Sequence, residues 1–124
     1  MSLDMEDRDG VRIVEVSGEL DTFAARSFRE SLGLIRASDR YVVNLAGVSF
    51  VDSAGLHALF GVVRVAKEVG AAVAFVVPDE SPVRRVVELI QLADVAPVCD
   101  SVEVAIARVT EPSASEGFDD GRAG

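Results

Sequence analysis

The chain predicts an α/β fold: a mixed β-sheet of about five strands, opening with a hairpin and carrying about four helices. Three observations predict it. Asp9-Gly10 separates two stretches rich in β-formers, which is a hairpin signal. Beyond it, apolar runs of strand length alternate with stretches whose apolar residues recur at helical spacing. Such alternation implies right-handed crossovers and a mostly parallel central sheet, which the opening hairpin makes mixed.

The elements follow in order. Leu3 and Met5 alternate with Asp4 and Glu6, and Val11-Arg12-Ile13-Val14-Glu15-Val16 supplies the partner strand, with an expected end near Gly18. Asp21 or Thr22 can cap a first helix, in which Ala24, Phe28, Leu32 and Ile35 make one buried stripe. Tyr41-Val42-Val43-Asn44-Leu45 reads as a buried strand. A helix starts at about Ala54, with Leu56, Leu59, Phe60 and Val63 on its apolar side, widened by Val62, Val65, Ala66 and Val69. His57, Gly61, Arg64 and Glu68 fall on the opposite side, and Gly70 stops the helix. Ala71-Ala72-Val73-Ala74-Phe75-Val76-Val77 is continuously apolar, as a strand covered on both faces should be.

Ser81-Pro82 predicts a cap with proline at the first helical position, followed by the stripe Val83, Val86, Val87 and Ile90. Val95-Ala96-Pro97-Val98 is expected at a sheet edge, because Pro97 has no N–H to donate. Asp100-Ser101-Val102-Glu103 resembles a capping box with Asp100 in the cap position, opening a helix lined by Val102, Ile106 and Val109. The domain is thus expected to span residues 1–110. Residues 111–124 have no period and many breakers, and are expected to form a flexible acidic tail.

Composition narrows the function. A chain of 124 residues with 49% hydrophobic content suits one folded domain. The net charge of −9 repels phosphate, which argues against nucleic acid or an anionic membrane and for a partner with a basic face. No apolar run approaches the ~20 residues of a membrane span, so no membrane insertion is expected. The acidic N-terminus is unlike a signal peptide, and the lone Cys99 allows no internal disulfide, so the cytoplasm is the expected compartment. Cys99 itself reads as a small hydrophobe near a strand end.

The stretch with most chemistry is Phe50-Val51-Asp52-Ser53-Ala54-Gly55-Leu56-His57. It is a near miss for the G-x-S-x-G nucleophile elbow, but valine replaces the first glycine and no third group is evident to orient His57. One histidine and one cysteine make a zinc site unsupported, and no phosphate-binding glycine loop is present. A phosphoacceptor role for Asp52 would need an acidic pair after an early strand and a late lysine, and neither is found. No catalytic residue, metal ligand or cofactor is therefore assigned. Two readings of Ser53 remain open at this point. It caps the helix, with Asp52 filling a turn, or it is a regulatory phosphosite with the carboxylates of Asp52 and Asp21 near it.

These residues carry a resemblance. Gly18-Glu19-Leu20-Asp21, an apolar strand, and then Phe50-Val51-Asp52-Ser53-Ala54-Gly55-Leu56 resemble the STAS domain of bacterial anti-sigma factor antagonists, from Leu3 to Val109. The late Ala96-Pro97-Val98 and Ser101-Val102-Glu103-Val104-Ala105 segments are similar to that family's end. The resemblance implies that Ser53 is phosphorylated by an anti-sigma factor that is a serine kinase using ATP. Unphosphorylated, the antagonist would bind that kinase and free the sigma factor, and a phosphatase would reset it. Asp21 would lie near the kinase-binding surface. Asp52, Gly55 and the row of His57, Gly61 and Arg64 would complete the docking stripe. A second hydroxyl residue follows the phosphoacceptor in many members, and here it is Ala54. The alternative is a STAS subunit of a lipid-transport complex or of a stress-sensing assembly, with no phosphate switch.

Overall fold

A computed structural model describes residues 1–22, 24–27 and 39–111. The chain reverses at Asp9 and Gly10, both at positive φ (56° and 79°), as a two-residue hairpin turn of the primed type requires. That turn sets β1 (Ser2–Arg8) antiparallel to β2 (Val11–Leu20), with Arg8 opposite Val11 and Ser2 opposite Ser17. β2 does not end near Gly18 as expected. Register shifts at Glu15/Ser17 and Gly18/Glu19, with Gly18 at φ 92°, absorb extra residues and carry the strand on to Leu20.

The first helix, α1, is described only at residues 22 and 24–27, so Phe28, Leu32 and Ile35 lie outside the described residues. β3 (Arg40–Val51) runs parallel to β2 and is longer than its apolar core alone suggests. α2 (Ser53–Val69) follows directly and ends at Gly70, which adopts φ 73°. The Ala71 N–H then bonds the Ala66 carbonyl, closing a Schellman-type stop. β4 (Ala72–Val76) and the edge strand β5 (Val98–Cys99) complete a sheet of order β1-β2-β3-β4-β5, parallel from β2 onward. β5 does not begin at Val95 as expected, because the Val95 and Ala96 N–H groups turn back to the Leu92 carbonyl and only Val98 of the expected strand joins the sheet.

Two helix starts differ from expectation by small shifts. α3 (Arg84–Leu89) begins after Pro82, because the Ser81 hydroxyl accepts the Val83 N–H in a local turn instead of capping the helix. α4 (Val102–Thr110) is capped by Ser101, whose hydroxyl accepts the Val104 N–H at 3.2 Å, and not by Asp100. Asp100 instead stands 3.6 Å from Arg84. That guanidinium also donates to the Val77 carbonyl at 2.6 Å and to Glu88 at 3.0 Å, tying the end of β4 to α3.

The sheet separates two apolar layers. Val14, Val16, Leu20, Val43, Leu45 and Phe75 face α2 and α3 in the larger one. Val11, Ile13, Val42, Ala74 and Val76 face α4, against its buried Ala105 and Val109. This is the period-2 alternation of a sheet covered on both sides. Cys99 is buried in the smaller layer, and burial pushes its thiol pKa up, which keeps it unreactive.

Candidate functional site

Leu20 and Val51 are register partners in the parallel pair β2–β3. The residues that follow them, Asp21 and Asp52, therefore leave the sheet side by side at one end. Each caps a helix. The Asp21 carboxylate accepts the Ala24 N–H at 3.0 Å, and its carbonyl accepts the Ala25 N–H at 2.7 Å. Asp52, in extended conformation, accepts the Gly55 N–H through Oδ1 at 3.0 Å. Its other oxygen, Oδ2, accepts the Thr22 hydroxyl at 3.2 Å. The two loops are thus joined by a side-chain bridge. The Gly55 N–H, with smaller help from Thr22, holds the Asp52 carboxyl pKa below its ordinary value.

This arrangement excludes Ser53 as the cap of α2. Asp52 makes the cap bond, and Ser53 is the first residue of α2, exposed to solvent. Its hydroxyl is not used to close the helix. His57, one turn on, and Arg64, two turns further, are also exposed on α2. Three of the expected docking residues, Ser53, His57 and Arg64, therefore share one accessible helix face.

Gly55 and Gly61 offer a partner no open surface, contrary to the expectation that they contact one: both are buried. Gly55 serves packing. A Cβ there would collide with the Leu20 carbonyl oxygen and stand 3.0 Å from both Leu20 Cγ and Val51 Cγ1. Its missing side chain lets the first turn of α2 rest directly on the end of β2. Gly61 sits beneath the Arg64 guanidinium, which is 3.9 Å from where a Cβ would be. The apolar side of α2 is correspondingly rotated, with Ala58, Leu59, Val62 and Ala66 innermost and Phe60 at the margin.

Thr22 has a role that the sequence did not reveal. Of the two candidate caps for α1, Asp21 takes the role and Thr22 reaches across to Asp52. Only the strand register, which brings residues 20 and 51 together, makes that bridge visible. Among the described residues no cluster of histidine, cysteine and carboxylate side chains could hold a metal ion, and no helix is long and apolar enough to cross a membrane.

A mixed sheet of this order, with a serine-bearing helix start at the ends of its parallel strands, defines a STAS domain, and the STAS domain family model matches residues 2–105. The anti-sigma F factor antagonist of Paenibacillus polymyxa is 29% identical over 104 residues, covering 82% of this chain and 88% of that protein. The anti-sigma-F factor antagonist RsfB of Mycobacterium tuberculosis is 30% identical over 95 residues, covering 74% and 75%. The crystal structure of an anti-sigma factor antagonist from Mycobacterium paratuberculosis superposes with a TM-score of 0.74 at 30% identity, covering 89% of this chain and 94% of that one. The chain belongs to the STAS-domain family of bacterial anti-sigma factor antagonists.

Proposed function

We propose that this protein is an anti-sigma factor antagonist whose grip on its anti-sigma factor is gated by phosphorylation of Ser53. The anti-sigma factor is the kinase, ATP is the phosphate donor, and a phosphatase restores the serine. Unphosphorylated, the chain binds the kinase in the cytoplasm and sets the sigma factor free. The observation that carries this reading is the division of labour at the start of α2: Asp52 takes the cap, and Ser53 is exposed with its hydroxyl outside the cap bond.

The energetics suffice without any change of fold. A phosphoserine carries about −1.5 to −2 charge near neutral pH. Against a partner carboxylate at ~4 Å it costs up to ~4 kcal/mol per charge pair at an effective dielectric of 20. A hundredfold loss of affinity needs only ~2.7 kcal/mol. The chain adds a term of its own, because the Asp52 carboxylate already occupies the Gly55 N–H. A phosphate on the next residue meets that carboxylate as well as the positive end of the helix. His57 and Arg64 extend the contact along α2, and Asp21 borders it from the neighbouring loop.

Phosphate-affinity electrophoresis after incubation with the cognate kinase and ATP tests the assignment. A single shifted band that disappears in Ser53→Ala is expected. A shift that survives Ser53→Ala, or no shift in the natural chain, overturns it.

A further inference from the structure

Along one flank of α2 the surface opens into a groove of about 420 Å³, walled by Phe60, Val63, Arg64, Lys67, Glu68 and Val95. Its floor is apolar, and Val95 is 38% exposed there. Arg64 and Lys67 are exposed beside it, and among the described residues neither enters an ion pair. Two uncommitted cations over an apolar floor select an acidic segment that carries an apolar side chain.

The chain supplies such a segment. A second cavity is walled jointly by Glu111, Gly70, Ala71 and Pro97, so the backbone leaves the domain beside the end of α2. Lys67 lies one helical turn before Gly70, and Val95 lies two residues before Pro97. Beyond Glu111 the sequence reads Pro112-Ser113-Ala114-Ser115-Glu116-Gly117-Phe118-Asp119-Asp120, with Phe118 its one aromatic residue and carboxylates on both sides of it. The distance from Gly70 back to Phe60 along the helix is about 15 Å at 1.5 Å per residue. From Glu111 to Phe118 an extended chain covers up to about 23 Å. The reach is sufficient.

We propose that residues 116–120 dock into this groove of the same molecule. Phe118 meets the floor formed by Phe60, Val63 and Val95, and Asp119 and Asp120 face Arg64 and Lys67. A segment without a period of its own can bind in this way as a short linear peptide. Connection to the domain raises its effective concentration to the millimolar range, so weak contacts suffice. Arg64 also stands on the face assigned to the kinase, and on that reading the docked segment and the partner would compete for it. The docking itself does not depend on that assignment.

The test uses the full chain in two forms. In ¹⁵N–¹H spectra of the natural chain and of Phe118→Ala, amide shifts are expected to differ at Phe60, Val63, Lys67 and Val95 and to coincide along β1. In a Cys99→Ala background with a nitroxide at Ser115→Cys, the Val63 and Val95 amides are expected to lose more than half their intensity. Adding Phe118→Ala should restore that intensity, and ~0.5 M salt should restore it in part. Identical spectra, or broadening that is absent from the groove or unaffected by Phe118→Ala, overturn the proposal. Broadening seen only when ¹⁵N-labelled and spin-labelled chains are mixed overturns it too, because the occupant is then a second copy.

Discussion

The dipeptide Asp-Ser occurs twice at the junction of a strand and a helix, and the two copies behave differently. At Asp52-Ser53 the aspartate caps α2 and the serine is the first helical residue, with its hydroxyl exposed. At Asp100-Ser101 the serine caps α4, and the aspartate stands outside the helix near Arg84. A shift of one residue thus decides whether a hydroxyl is spent on the cap or left exposed. The cause lies in the packing of the first turn. Gly55 lets α2 press on the Leu20 carbonyl, the Asp52 N–H donates to that same carbonyl at 3.3 Å, and Thr22 holds the free carboxylate oxygen. At the other junction the corresponding third helical residue, Val104, is 50% exposed and imposes no such approach.

The largest expected effect breaks the first junction. Gly55→Ala normally favours a helix by up to ~1 kcal/mol, but here the methyl meets backbone. We expect a net loss of about 2–3 kcal/mol from overpacking, read by urea unfolding. Val104→Ala, at the equivalent place in α4, should stay within ~0.5 kcal/mol. If Gly55→Ala proves neutral, the close approach of α2 to β2 is wrong.

The next contrast concerns the two serines. Ser101→Ala removes a cap and should cost about 1 kcal/mol, whereas Ser53→Ala should stay within ~0.5 kcal/mol. Equal losses in thermal melts would mean that Ser53 is also a structural residue.

The smallest effect is in pH dependence. The Asp52 pKa is depressed below its ordinary 3.8 in the folded state, so its contribution is fully present above that value and lost as pH falls through the folded pKa. Asp52→Asn should therefore flatten the stability profile below pH 3.8 while leaving its shape near neutrality unchanged. A profile identical to that of the natural chain would remove the charged cap from the account.

Much of this was readable from residue order. The hairpin at Asp9-Gly10, the alternation of strands and helices, the edge position of Val98 and the stop at Gly70 all follow from local signals that tertiary packing did not oppose. Cap register was not readable in the same way. Asp and Ser are equally good N-caps, so Asp52 against Ser53 and Asp100 against Ser101 could be settled only by the strand each helix packs on. Gly61 fell on the polar row by spacing, yet a glycine offers no side chain to show its face and it is buried. The Thr22–Asp52 bridge joins residues thirty positions apart and needs the β2–β3 register to appear.

The most direct test of the central claim is calorimetric titration of the kinase proposed as its partner with three forms of the chain: unphosphorylated, Ser53→Ala, and stoichiometrically phosphorylated on Ser53. The account predicts that the first two bind alike and that the phosphorylated form binds at least a hundredfold more weakly, with the fold unchanged. Equal affinity of all three would contradict it.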